Sequence, residues 1–260
     1  MDLYKLYGGL WYMKSMKIVL RLVFVSAVAL FLPVIINYLL LLPASYIDVN
    51  SLAGGIFLSI VFYTIQTGIA IILVRSIIHT SITEMGFNLY NVKLTFRMLR
   101  WFIPIWLLLV ILFYGIGLNC IAGFDAFVSH YYVTNKLAMQ KDFIIGCLLA
   151  GVGEEPLFRG FIITLLVPVI SEYVRVKKVK IPFVAIVSGV LFALAHIEYQ
   201  IMPFRILYID VIQLSITFIL GIFWSIMFLK TRSLLGPIIA HMCANTIQIM
   251  SGYIVAYFFI

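Results

Sequence analysis

Charge is scarce in this chain. Asp, Glu, Lys and Arg make up 11% of 260 residues, and only 10 residues are acidic. A soluble domain carries about 25% charged and about 45–50% apolar residues. Here the apolar share is 64% and the mean hydropathy is +1.15. The deficit excludes a soluble globular domain and marks a polytopic membrane protein. Cysteine is scarce as well: Cys120, Cys147 and Cys243 have no metal-like spacing and are too few for a disulfide framework. No Gly/Ser-rich or Pro-rich linker and no fixed-period repeat interrupts the chain, so it reads as a single bundle. The opening MDLYKLYGGLWYMKSMK lacks the apolar stretch of a signal peptide and reads as an interfacial lead-in.

What is present is a series of apolar runs. A spanning helix needs about 20 mostly apolar residues. Seven runs qualify: 18–42, 53–78, 101–119, 143–168, 182–198, 207–229 and 234–259. An eighth span is possible only within the mixed stretch 119–142, which could hide a short re-entrant helix. Residues 84–101 have apolar side chains at helical intervals, consistent with an interfacial helix or an ordinary connecting loop. With seven spans, one side holds Lys5, Lys14, Lys17, Arg21, Arg75, Lys93, Arg97, Arg100, Arg175, Lys177, Lys178, Lys180, Lys230 and Arg232. The other holds Lys136, Lys141 and Arg205. The positive-inside rule then puts the N-terminus in the cytoplasm and the C-terminus outside. The net charge of +8 is thus a topology signal, and nucleic acid is not an expected partner.

The informative exceptions are polar residues inside the runs. Glu154 and Glu155 stand side by side in GCLLAGVGEEPLFRGFIITLLVPVI. One charge at the bilayer centre costs about 2.5–3.5 kcal/mol even on the lenient scale. Glu155 and Arg159 are four apart and can pair on one helix face. Glu154 is five from Arg159, about 140° around the axis, and has no evident partner. The spacing predicts a held Glu155 and a Glu154 available as a general base; a set that only ties helices together or lines a proton path fits equally. Pro156 removes a helix hydrogen bond, and Gly151, Gly153 and Gly160 permit close helix approach, the pattern of a hydrated internal cavity. FALAHIEY places Phe192 and His196 four apart, and GPIIAHMCANTIQ does the same for His241 and Asn245. His196 can serve as a helix-end residue or in catalysis. His241 and Asn245 can hold a carbonyl oxygen or a metal, or bond two helices together. A base, imidazoles and an amide together suit water attack on a carbonyl.

EEPLFR, FALAH and HMCAN match the motifs EExxxR, FxxxH and HxxxN in order. Over about 140–250 the chain resembles the CPBP family: type II CAAX prenyl proteases, lysostaphin resistance protein A-like proteins and the Abi bacteriocin-processing or immunity proteins. Residues 1–120 are similar only as generic membrane helices. The resemblance implies an intramembrane glutamic endopeptidase. Glu154 would be the base, His196 would help position the water, His241 and Asn245 would form the oxyanion hole, and Arg159 would hold Glu155. It implies no cofactor; the alternative is zinc on Glu154, His196 and His241, although HExxH is absent.

The expectations are therefore an all-α polytopic transmembrane bundle of seven spans, or eight, with membrane helices and interfacial segments over 1–140 and a CAAX protease/Abi-like core over 141–260. The substrate would be a peptide or membrane-anchored protein, met in the lipid bilayer of a plasma membrane. The rival functions are a proton-coupled transporter, since intramembrane Glu, Arg and His also mark ion paths, and a catalytically silent membrane regulator or bacteriocin immunity protein.

Overall fold

The structure, a computed structural model, describes residues 3–132 and 135–260, with side chains from Ser15 onward. Lys5 and Lys14 of the basic set have side chains outside that range. Three long helices open the chain: α1 (Leu3–Ala44), α2 (Leu52–Ile78) and α3 (Val92–Cys120). Each is apolar and long enough to cross a membrane, α1 from Ser15 on. Ser51 starts α2 by accepting a hydrogen bond from the Gly54 N–H, and His79 in a left-handed conformation ends it. Large apolar side chains such as Leu39 and Leu42 of α1 and Leu108 of α3 stay exposed on the outer surface. In a soluble protein such a surface would aggregate; in a bilayer it is the lipid-facing side.

Two short helices follow, α4 (Phe124–Tyr131) and α5 (Lys136–Lys141). They occupy the mixed stretch that was open to a re-entrant helix, and neither is long enough to span. From α5 the chain continues without a break through π1 (Asp142–Leu149), α6 (Ala150–Glu155), π2 (Pro156–Phe161) and α7 (Ile162–Leu166). The second wide turn has a local cause. Pro156 donates no hydrogen bond, and its ring crowds the carbonyl one turn back. Widening the turn lets the Ile162 N–H reach the Leu157 carbonyl instead. Glu155 through Ile163 are all buried, so this rod passes through the middle of the bundle. Helix α2 flanks it on one side and α10 on another.

The hairpin β1 (Tyr173–Val176) and β2 (Val179–Pro182) leads into α8 (Phe183–Leu194). A second hairpin, β3 (Glu198–Gln200) and β4 (Arg205–Tyr208), leads into α9 (Val211–Thr231), and α10 (Leu235–Phe258) closes the chain. Helices α8 and α9 cross where Gly221 and Gly189 meet, and a Cβ on Gly221 would lie 3.0 Å from the Gly189 Cα. A buried hydroxyl chain reinforces the crossing. Ser225 donates to Ser188 at 3.0 Å, and Ser188 donates to the Phe158 carbonyl in π2 at 2.8 Å.

The bundle is all-α apart from the two hairpins, as expected. Among the described residues, five helices are long and apolar enough to span: α1, α2, α3, α9 and α10. The fourth expected span exists as the π-interrupted rod. The fifth, 182–198, is corrected: α8 has 12 residues, about 18 Å at 1.5 Å per residue, well short of a ~30 Å hydrocarbon core. Hairpins on both sides replace the missing turns, and β3 is tied to α1 through the Tyr199 hydroxyl on the Leu30 carbonyl. Residues 84–101 are also not one interfacial helix. Ser81 and Glu84 cap each other in a loop, with the Ser81 N–H donating to Glu84 at 2.9 Å and the Glu84 N–H donating back at 3.1 Å. These contacts, the Ser81 N–H first, hold the Glu84 carboxyl below its usual range. The remainder, from Val92, is the start of α3.

The two ends of the bundle are distinct. At one, the 79–91 loop meets the α9–α10 turn: the Leu234 N–H donates to the Gly86 carbonyl at 2.9 Å and Ser233 donates to the Asn88 carbonyl at 2.6 Å. At the other, Lys141 reaches the Val49 and Asn50 carbonyls in the α1–α2 turn, and Tyr253 donates to Asp142 at 2.6 Å.

Candidate active site

Glu154 and Glu155 close α6 immediately before Pro156, and the rod aims them at different neighbours. Glu155 is fully buried and held at both oxygens. Its Oε2 lies 3.1 Å from Arg159 Nε, and its Oε1 lies 2.8 Å from His241 Nδ1 on α10. A carboxylate oxygen only accepts, so His241 donates from Nδ1, and its neutral form keeps a lone pair on Nε2. Trp224 of α9 stacks on the imidazole at 4.3 Å between ring centres, with 19° between planes. The Arg159 guanidinium sits 4.4 Å over the Phe192 ring and 5.3 Å from that of Trp224, where aromatic faces favour a cation. Its Nη2 donates to the Gly221 carbonyl at 3.4 Å. Among the described residues, Arg159 Nη1 and Trp224 Nε1 are buried donors without an acceptor, and Arg159 Nε meets Glu155 Oε2 as an ion pair without hydrogen-bond geometry. This half of the site is buried, aromatic and built from π2, α8, α9 and α10.

Glu154 faces the other way and is half-buried. Its Oε1 accepts from the Tyr63 hydroxyl of α2 at 3.3 Å, a partner the sequence reading did not foresee. Gln66, one turn along α2, donates to the Gly153 carbonyl at 2.9 Å. Gly153 makes this approach possible, since a Cβ there would overlap the Tyr63 ring. Gly151 does the same toward α10, where a Cβ would come within 3.0 Å of the Ile238 carbonyl oxygen. A cleft of about 480 Å³ between α1 and α2, lined by Asn37, Leu41, Phe62 and Tyr63 among others, leads to this side. Polar residues at helical spacing in an apolar span (Tyr63 and Gln66, three apart) were the available signal. Nothing in the sequence said which element they would face.

His196 lies just past the end of α8. Its Nδ1 is 2.8 Å from the Phe192 carbonyl oxygen, which fixes the proton on Nδ1 and leaves Nε2 as acceptor in the neutral ring. Its ring packs against Phe192 at 4.9 Å, so Phe192 touches both His196 and Arg159. Asn245 donates from Nδ2 to the Gly146 carbonyl of π1 at 2.8 Å, tying α10 to the rod. The structure therefore joins Glu155, Arg159 and His241 directly, gives Glu154 to Tyr63, and holds His196 and Asn245 on backbone carbonyls. Among the described residues no three His, Cys, Asp or Glu side chains converge to hold a metal ion, so Glu154, His196 and His241 are not assembled as a ligand set.

Residues 138–247 match the family model described as type II CAAX prenyl endopeptidase Rce1-like. The matched stretch contains all three motifs and runs from α5 to the middle of α10. That family is one of proteases, and the matched stretch is similar to it within a chain that carries several helices long and apolar enough to cross a membrane. No curated protein matches the chain, and no solved structure does.

Proposed function

We propose, from the match of residues 138–247 to the type II CAAX prenyl endopeptidase Rce1-like family model, that the chain cleaves a peptide bond of a peptide or membrane-anchored protein using water activated by Glu154. The observation that carries this reading is the unequal treatment of two adjacent carboxylates. Glu155 has both oxygens engaged by cationic or proton-bearing partners. Glu154 is only half-buried and has one long contact to a neutral phenol, Tyr63, which itself lines a cleft. Neighbouring acids in contrasting surroundings are a recurrent way of dividing structural and proton-transfer roles.

In the proposed reaction Glu154 takes a proton from water, and the oxygen attacks the peptide carbonyl carbon. The tetrahedral oxyanion is stabilised by donors on α10. Asn245 has a second amide hydrogen besides the one given to Gly146. His241, held through Nδ1 by Glu155, turns Nε2 away from that contact and can donate from it as an imidazolium. Collapse breaks the carbon–nitrogen bond, and protonated Glu154 gives its proton to the leaving amine. His196, with Nε2 free to accept, would orient the water. Arg159 holds Glu155, and Glu155 holds the tautomer and ring plane of His241. The mechanism uses no cofactor. Exhaustive chelation should leave activity intact; activity lost to chelator and restored specifically by zinc would reassign the histidines as ligands.

The direct test is membrane proteomics of cells carrying the chain against Glu154→Gln, reading out proteins whose termini change. A cleavage product that vanishes in the variant supports the protease. An unchanged set of termini with altered solute uptake favours a carrier. The proposed setting is the plasma membrane with the basic end in the cytoplasm. A reporter after Ile260 should be active outside and one near Lys178 inside; the reverse would overturn this orientation.

A further inference from the structure

A second cavity lies away from the glutamates, toward the less basic end. It has a volume of about 290 Å³ between α3, α4, the start of α9 and the later part of α10. Its walls are unusually aromatic: Trp106, Phe113, Tyr114, Phe127, Tyr131 and Tyr132 all line it. Tyrosine and tryptophan are common at membrane interfaces, where they anchor helices by facing lipid. These rings do something else. Trp106 and Tyr114 are buried and turn inward on a shared space. They are also braced: Phe127 and Tyr131 lean together at 4.8 Å, Phe124 rests on Phe127 at 5.6 Å, and Tyr114 and Tyr132 share a hydrogen bond of 3.1 Å. Trp106 gives its N–H to the Ala244 carbonyl at 3.1 Å, so it offers the cavity a ring face and no donor.

One charge lines this space, and it is negative. Asp210, the residue before α9, is the only charged side chain in the wall among the described residues. Its Oδ1 caps α9 through the Ile212 and Gln213 N–H groups, and its Oδ2 accepts from Tyr131 at 2.7 Å. Tyr131 is bonded in turn to Tyr208. Among the described residues Asp210 has no salt-bridge partner. An apolar chain would fill the aromatic walls but has no use for a carboxylate. A phosphate or carboxylate would be repelled by it. Several aromatic faces beside one unpaired carboxylate are complementary to an organic cation, above all one whose alkyl groups spread its charge over ring faces.

We propose that this cavity is a binding site for an alkylated ammonium group, held between the aromatic walls and Asp210. The site is separate from Glu154 and stands whether or not the chain is a protease. The group could arrive free or as the headgroup of a lipid, and the test distinguishes these. Purified full-length protein in a neutral detergent is titrated calorimetrically with choline, with its neutral carbon isostere, and with short-chain phosphatidylcholine and phosphatidylglycerol. Choline or phosphatidylcholine should bind saturably and about tenfold more tightly than the corresponding uncharged or glycerol compound. Binding of free choline would identify a soluble ligand; binding of phosphatidylcholine alone would identify a lipid headgroup. Asp210→Asn should weaken ammonium binding about tenfold while leaving the melting temperature nearly unchanged, because Asn caps a helix as well as Asp does. Phe127→Leu should weaken it too, by removing a ring of similar bulk. Equal binding of the neutral isostere, retention of affinity in Asp210→Asn, or no saturable binding of any ammonium compound would overturn the proposal.

Discussion

The two sides of one helical turn make an instructive contrast. Glu155 looks into α8, α9 and α10, where Arg159, His241, Phe192 and Trp224 enclose it completely. Glu154, one residue earlier, looks toward α2, where its partner Tyr63 lines a cleft. Chemically the residues are the same. The difference lies in what each would lose on becoming neutral: for Glu155 a fixed charge network, for Glu154 one hydrogen bond. A carboxylate clamped at both oxygens is poorly suited to exchanging protons during turnover, whereas a loosely held, half-buried one can do so.

Four substitutions sharpen or break that contrast. The largest effect is expected from Glu154→Gln, which keeps size and contact but cannot take a proton. Turnover should fall by about 10²–10⁴-fold with accumulation and melting temperature near normal, as read on purified protein with a cleaved peptide. A stable and active Glu154→Gln would end the role assigned to it.

Arg159→Gln comes next. It leaves Glu155 buried without its cation, a defect that costs about 3–5 kcal/mol. Thermal melts in detergent should show a large drop, with activity lost alongside folded protein, and Glu155→Gln should resemble it. If Glu155→Gln were instead stable and inactive, the two glutamates would exchange roles.

Gly153→Ala tests the spacing between α2 and the rod. The added methyl overlaps the Tyr63 ring, and overpacking of this kind costs about 1–3 kcal/mol. The expected result is a moderate loss of melting temperature that Tyr63→Ala relieves in the double variant. Strict additivity of the two would show that they do not meet.

The smallest effect belongs to Tyr63→Phe. It removes a long hydrogen bond to Glu154 and nothing else, so stability should change by about 1 kcal/mol or less. The informative readout is the cleavage rate taken beside that stability: a lower rate at an unchanged melting temperature would tie Tyr63 to the placement of Glu154. An unchanged rate would separate Tyr63 from the proton-transfer step.

Much of this site could be read from residue spacing because much of it is local. Glu155 and Arg159 are one turn apart, and helical geometry alone brings them together. Pro156 announced a disturbed turn, and Gly151 and Gly153 announced close neighbours. Other parts were not readable. Residues 182–198 are apolar for the length of a span, yet only Phe183–Leu194 is helical, because short hairpins satisfy the backbone at both ends and hydropathy does not distinguish the two solutions. Residues 84–101 have apolar side chains at helical intervals throughout and fit an interfacial helix or a connecting loop equally; the Ser81–Glu84 cap and Asn91 in a left-handed conformation make the first part a loop and start α3 at Val92.

The sequence by itself determined the membrane class, the bundle, the order of the three motifs and the pairing of Glu155 with Arg159, since composition and helical period act over a few residues. Only the tertiary structure decided that the second oxygen of Glu155 goes to His241, 86 positions away, that Glu154 meets Tyr63, and that six aromatic rings and Asp210 line one cavity. Those outcomes depend on how each helix is rotated and how closely it approaches its neighbours, and that is set by packing across the whole bundle rather than by any one stretch of chain.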